Sequence, residues 1–200
     1  MTPRVPNDVH AAGSWVIGEI APDFELLDVW ALPVRGRRED FGAFLDGLAS
    51  FDPAHDGSLP MRVLFAVRLR LGRIFGWDDP GKKRSIPGAT ESTLRARLPE
   101  QLRASVDRLD GPMERIAGGF VPLYRTEDEW AAEIANDTVH GVLHLVWLRQ
   151  DDGLYQARMG VYVKPRGVLG RMYMRLIQPF RHLIVYPALM RAIGRAWEAR

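Results

Sequence analysis

The sequence predicts an α+β fold: a curved antiparallel β-sheet wrapped around a long C-terminal helix, with two helices after the first strand. Three observations predict it. Strand-like segments follow one another from residue 113 to 165 with no helical segment between them, and strands joined this closely are antiparallel neighbours. Two of them flank Asp151-Asp152-Gly153, a turn whose glycine supplies positive φ. The longest helical pattern of the chain begins after Gly167 and has to pack on the sheet that precedes it.

Residues 1–21, with two prolines in the first six positions, read as an irregular leader, and 22–200 as a single domain. "DFELLDVWAL" (23–32) alternates as a strand does, with Phe24, Leu26, Asp28 and Trp30 on one parity and Leu27, Val29 and Ala31 on the other. "REDFGAFLDGLASF" (38–51) spaces Phe41, Phe44, Leu45 and Leu48 as a helix does. Residues 59–77 read as a basic amphipathic helix and 78–92 as a Gly/Pro-rich connection; Pro99 interrupts the helical pattern of 94–109. One or two short strands are expected in 113–126, bent at Gly118-Gly119, then strands at 129–135, 138–150 and 154–165. In the C-terminal pattern Leu169, Met172, Tyr173, Leu176, Ile177, Phe180, Leu183, Ile184, Met190 and Trp197 repeat at helical intervals, with Pro179 and Pro187 placed to kink or divide the helix.

Two hundred residues make one domain able to bury roughly 70% of its unfolded surface. With 46% hydrophobic and 26% charged residues the composition is that of a globular protein. The chain has no cysteine, which excludes disulfides, thiolate metal sites and a thiol nucleophile. No signal-peptide core opens it and no run approaches the roughly 18 apolar residues of a spanning helix, so a cytoplasmic protein is expected. Charge is uneven. Residues 164–200 hold eight Lys or Arg against Glu198 alone, a net +7 in a chain of net +2. A basic tail on an acidic body points to an anionic partner or an internal counter-surface.

"NDTVHGVLHLVW" (136–147), "VYVKPRGVLGRMYM" (161–174) and "PFRHLIVYPALMRAIGRAW" (179–197) together resemble the bacterial family known as domain of unknown function 2867. The resemblance spans about residues 22–198 and is most specific in the C-terminal half. It implies the helix-grip fold of the START/Bet v 1-like (SRPBCC) superfamily, whose members hold lipids, sterols or polyketides between sheet and C-terminal helix, a few of them catalysing cyclisation or dehydration.

His140 and His144 are the first candidates for chemistry. On a strand they share a face with Val142 and Val146. An even-length hairpin loop would set His144 opposite Met159 and His140 opposite Val163, on the apolar parity of Tyr155, Met159 and Val161, so that both histidines face the enclosed side. An odd loop or a bulge would reverse the face. The same parity puts Trp147 outside the sheet. A metal is not expected: only Glu133 or Asp137 is near in sequence as a third ligand, no Glu sits between the histidines, and strand residues four apart lie about 13 Å apart. Glu133, just before the strand, could pair with a histidine in acid–base work. Glu133, His140, His144, Tyr155, Met159 and Arg166 are therefore the candidate cavity residues, with no cofactor expected.

"GWDDPGKK" (76–83) imitates a phosphate loop, but Lys83 replaces the Ser or Thr that holds magnesium and Asp78-Asp79 would repel phosphate. There is no dinucleotide fingerprint, no nucleophile elbow and no nucleic-acid-binding motif, so only a pI near 9.1 speaks for nucleic acid. Three functions remain open. The first is binding of a hydrophobic small molecule between sheet and C-terminal helix. The second is a cyclase- or dehydratase-type enzyme using the same His and Glu. The third is a peripheral membrane or interaction protein that uses the basic C-terminal surface.

Overall fold

The computed structural model describes residues 4–49, 94–106, 120–135 and 139–200. Among the described residues, five strands form one antiparallel sheet: β1 (Glu25–Gly36), β2 (Val121–Arg125), β3 (Glu129–Ala135), β4 (Val139–Arg149) and β5 (Tyr155–Pro165). Their order is β1-β5-β4-β3-β2. β2 to β5 are a meander, and β1 closes against β5, so the first and last strands are neighbours. This is the expected α+β architecture, with C-terminal helices packed on one face of the sheet. The basic helix expected at 59–77, the connection at 78–92 and the Gly118-Gly119 bend lie outside the described residues.

Three helices accompany the first strand. Ahead of it, α1 (Asn7–Ala11) and α2 (Val16–Ile20) occupy the stretch expected to be irregular. Tertiary packing overrides local propensity here: Ile17, Ile20 and Ala21 are buried against Leu123, Tyr124, Ala131, Val142 and Tyr162. After it comes α3 (Asp40–Ala49), which buries Phe41, Phe44 and Leu45 against the opposite face of the sheet. Pro99 separates a 3₁₀ turn at Leu94–Arg97 from α4 (Glu100–Val106).

The C-terminal helix divides where its prolines predict. α5 (Gly167–Phe180) runs through Pro179 into a π-helical turn at Arg181–Val185, and α6 (Tyr186–Glu198) follows with Pro187 in its first turn. Proline offers no N–H to the carbonyl one turn back, and the wider π turn absorbs the missing bond. α6 packs on the α3 face through Tyr186, Met190 and Ile193. At Gly194 a Cβ would come within 3.2 Å of Pro33 Cγ on β1, so the glycine permits the close approach.

The hairpin register decides which face the histidines occupy. Arg149 pairs with Tyr155, leaving the odd loop 150–154, with Gly153 at φ 83° and Gln150 N–H donating to Leu154 O at 2.7 Å. His144 therefore lies opposite Gly160 and His140 opposite Lys164. This is one residue away from the even-loop register, and one residue exchanges the faces. The histidines look toward α1 and α2. Trp147, expected outside, is instead buried beneath α3 and α6, stacked with Phe41 and Phe44 and donating Nε1–H to Arg37 O at 2.9 Å.

Candidate functional site

The six candidate residues do not line one cavity. Tyr155 and Met159 join the core under α3 and α6, where the layer is filled by Trp147, Phe44, Tyr186 and Met190. A hollow of about 30 Å³ lies at its edge beside Phe44, Leu48, Ile193 and Trp197, which is room for a water or two and not for a polycyclic ligand. Arg166 stands at the N-cap of α5. Glu133, His140 and His144 lie together on the opposite face.

Each histidine has its own carboxylate. His140 Nε2 is 2.8 Å from Glu133 Oε2, and its ring packs edge-on against Phe24 at 4.9 Å. His144 Nε2 is 2.9 Å from Glu129 Oε1. The pairing follows from the sheet, because β3 is antiparallel to β4 and sets both glutamates beside the histidines. No group of three His, Asp or Glu suited to a metal ion occurs among the described residues.

A third histidine completes the site, and sequence reasoning passed over it. His10, carried by α1, places its Nε2 3.0 Å from His144 Nδ1, across 134 residues of chain. Gly160 makes room, since a Cβ there would stand 2.8 Å from His10 Nε2. Glu129 is held by four donors: the Tyr124 hydroxyl, the backbone N–H of Val16 at 3.1 Å and of Ile17 at 3.2 Å, and His144. Four donors around one carboxyl group require the carboxylate. His144 then donates from Nε2 and accepts at Nδ1, so His10 donates from Nε2 and keeps a bare Nδ1. That Nδ1 is buried without a partner.

The electrostatics agree with this chain of donors. Burial, the neighbouring His144 and Arg158 together hold the His10 pKa down to about 3 against the pull of Glu129. Burial also depresses His144, outweighing Glu129, and although burial opposes it the Glu129 carboxylate is kept ionised by its donors. Burial and Glu129 push Tyr162, beside both imidazoles, up to about 12. The result is one anion with two neutral imidazoles, closed over by Trp15, which stacks on His10 and donates Nε1–H to its carbonyl at 2.8 Å.

A second polar cluster ties the π turn to β1. Asp28, 1% exposed, accepts from Arg181 at 2.6 Å, His182 at 2.6 Å and Tyr186 at 3.1 Å, with Arg4 at 3.4 Å. The sequence signal was present, as an acid on the apolar parity of a strand, but Arg181, His182 and Tyr186 lie more than 150 residues away.

The third feature is a surface. Val168, Met172, Leu176, Phe180 and Leu183 follow at intervals of four, four, four and three along α5 and the π turn, and are 63%, 63%, 71%, 51% and 77% exposed. The sequence pattern predicts that the whole C-terminal helix packs on the sheet. Its α6 half packs on the core through Met190 and Trp197, and the π turn separates that half from α5. Arg171 and Arg175 are exposed on α5, and at 100° per residue they run along one side of the stripe. No acidic residue occurs between Gly153 and Trp197. Among the described residues no helix is long and apolar enough to cross a membrane.

No curated protein and no solved structure matches the chain significantly. The family described as a protein of unknown function (DUF2867) matches residues 20–188, a span that takes in the whole sheet, Glu129, His144, Asp28 and α5 but begins after His10. By this match over most of its length, the chain belongs to the DUF2867 family.

Proposed function

We propose that the protein is a peripheral lipid-binding protein that docks on an anionic lipid surface through α5 and the π turn. The observation that carries this reading is the exposed stripe of five large apolar side chains beside Arg171 and Arg175 in a segment without acids. Isolated exposed apolar residues are ordinary, but a contiguous row along one helix marks a contact surface. A helix with an apolar face, flanking arginines and no anion suits the boundary between headgroups and acyl chains, where the arginine stems lie along the lipid and their guanidinium groups meet phosphate. The hydrophobic partner expected from the sequence is then lipid met at α5, and the interior between sheet and α6 serves as an ordinary packed core.

Vesicle flotation tests this. The protein is expected to float with phosphatidylcholine vesicles containing 30% phosphatidylglycerol and to release as salt rises through about 0.5 M, where screening reaches a few ångströms. Leu176→Glu removes about 2 kcal/mol of apolar burial, a loss of about 30-fold in partitioning. Because Leu176 is solvent-exposed, the fold is expected to survive the substitution. Arg171→Glu with Arg175→Glu should abolish binding to anionic vesicles. No binding to anionic vesicles, or binding indifferent to all three changes, refutes the reading. Self-association abolished by Leu176→Glu in the absence of vesicles would assign the stripe to a second copy of the chain instead.

A further inference from the structure

The N-terminal stretch of residues 4–21 is a cover on one face of the sheet. Its two helices have five residues each and no side-chain cap bond, so they are too short to persist alone. The cover is held by contacts to the sheet. Val5 N–H donates to Val29 O at 2.9 Å and Asn7 Nδ2 to Leu26 O at 2.6 Å, at the edge strand. Ile17 and Ile20 supply apolar burial. In the middle, the cover is fastened by the His10–His144 bond and by Glu129 accepting from Val16 and Ile17.

We propose that His10 and His144, joined tip to tip beneath the cover and anchored on Glu129, form an acid-sensitive latch that holds residues 4–21 closed while both imidazoles are neutral and opens with uptake of two protons. The donor order explains the sensitivity. A proton added at His144 Nδ1 would face the Nε2–H of His10 at 3.0 Å, replacing a hydrogen bond by two opposed donors. A proton added at His10 Nδ1 would sit in a buried position with no acceptor. The groups facing the pair are Glu129 from β3, Tyr124 from β2, and Arg158 and Tyr162 from β5, with Trp15 from the cover itself. Among the described residues Glu129 is the one counter-charge facing the pair, and it is already saturated with donors. Arg158 opposes further positive charge. Lifting the cover returns both imidazoles to water, where each takes a proton below its ordinary pKa of about 6.5. The opening then exposes Tyr124, Ala131, Val142 and Tyr162 together with the Glu129–His144 pair.

Hydrogen–deuterium exchange on the full chain tests the latch, read at pH 7.5 and 5.5 after correction for intrinsic exchange. Two imidazoles titrating only in the open state predict a rise of about 100-fold in the opening equilibrium of residues 5–21, about 10-fold from each, with these amides opening far more readily than the centre of β4 at both pH values. His10→Gln keeps a donor toward His144 but removes one titrating group, and should reduce the rise to about 10-fold. A single opening equilibrium shared by the cover and the centre of β4, or an undiminished 100-fold rise in His10→Gln, overturns the proposal. Long-range ¹⁵N imidazole spectra of the unsubstituted protein supply a reading independent of any variant. Both rings are expected as neutral Nε2–H tautomers at pH 5.5, and two imidazolium rings in the closed state would overturn it.

Discussion

Gly160→Ala is the sharpest probe of the histidine chain, because it adds one methyl group where the backbone itself tolerates alanine: Gly160 is not among the glycines at positive φ. The new Cβ would stand 2.8 Å from His10 Nε2, well inside the ~3.5–4.0 Å of a comfortable contact. His10 cannot simply rotate away. Its Nε2 is bonded to His144 at 3.0 Å, and its ring lies against Trp15 at 5.9 Å and Tyr162 at 6.2 Å. Displacing it breaks that bond and strands the buried His144 Nδ1, which costs about 1–3 kcal/mol. Replacing glycine within a strand returns about 0.5–1 kcal/mol. The net expectation is a destabilisation of about 1–2 kcal/mol, or a fall of about 0.5–1 M in the urea midpoint at an m-value of about 2 kcal/mol/M. Gly141→Ala on the neighbouring strand is the reference, since its Cβ meets Ile134 Cγ2 at an ordinary 3.6 Å, and it should lie within about 0.5 kcal/mol of the parent. The decisive measurement is the double-mutant cycle. With His10→Ala already in place the clash is gone, and Gly160→Ala should become neutral or stabilising. If Gly160→Ala costs the same in both backgrounds, or no more than Gly141→Ala, His10 is not seated against His144 as described.

The cluster beneath the π turn and the acid response of the whole fold give two further expectations. Asp28→Ala leaves Arg181 and Tyr186 facing a vacated buried position and should destabilise the protein by about 3 kcal/mol in denaturant titrations; a loss under 1 kcal/mol would mean that water replaces the carboxylate at no cost. Global stability should also depend on His10. Its folded pKa of about 3 lies below the ordinary 6.5, so the unfolded chain binds the proton first. The stability that His10 contributes is therefore complete above about pH 7 and is lost as the pH drops from 6.5 toward 3, at about 1.4 kcal/mol per unit. Urea midpoints measured from pH 7.5 to 4.5 should fall less steeply in His10→Gln than in the parent protein, and parallel curves would contradict this.

How much of the site could be read in advance differs from residue to residue. Glu133, His140 and His144 were legible because a strand displays alternate residues on one face, and β3 brings Glu133 beside His140 as its nearness in sequence implied. Glu129 lies 15 residues from His144, against 7 between Glu133 and His140, and nothing local distinguishes its buried carboxylate from the exposed acids at 127 and 128. His10 carries no signal at all: it lies in a segment without periodicity, and its partner is 134 residues away. The α5 stripe was seen in the sequence, whereas its exposure was not, since an amphipathic pattern states that one face is apolar and leaves open what that face meets.

By itself the sequence determined the kinds of element and their order. Alternation marked the strands, Gly153 set the turn, Pro179 and Pro187 divided the last helix, and the C-terminal segments pointed to the family. These are local properties, written within a few residues of where they act. Tertiary structure alone decided which side of each element faces what. An odd loop at 150–154 carried His140 and His144 from the C-terminal-helix side to the N-terminal cover, and Trp147 the other way. A strand's side-chain period is two, so one residue of register outweighs any pattern within the strand. That register is chosen by the burial of distant residues such as Ile17, Phe44 and Met190, whose contacts come into being only when the whole chain is packed.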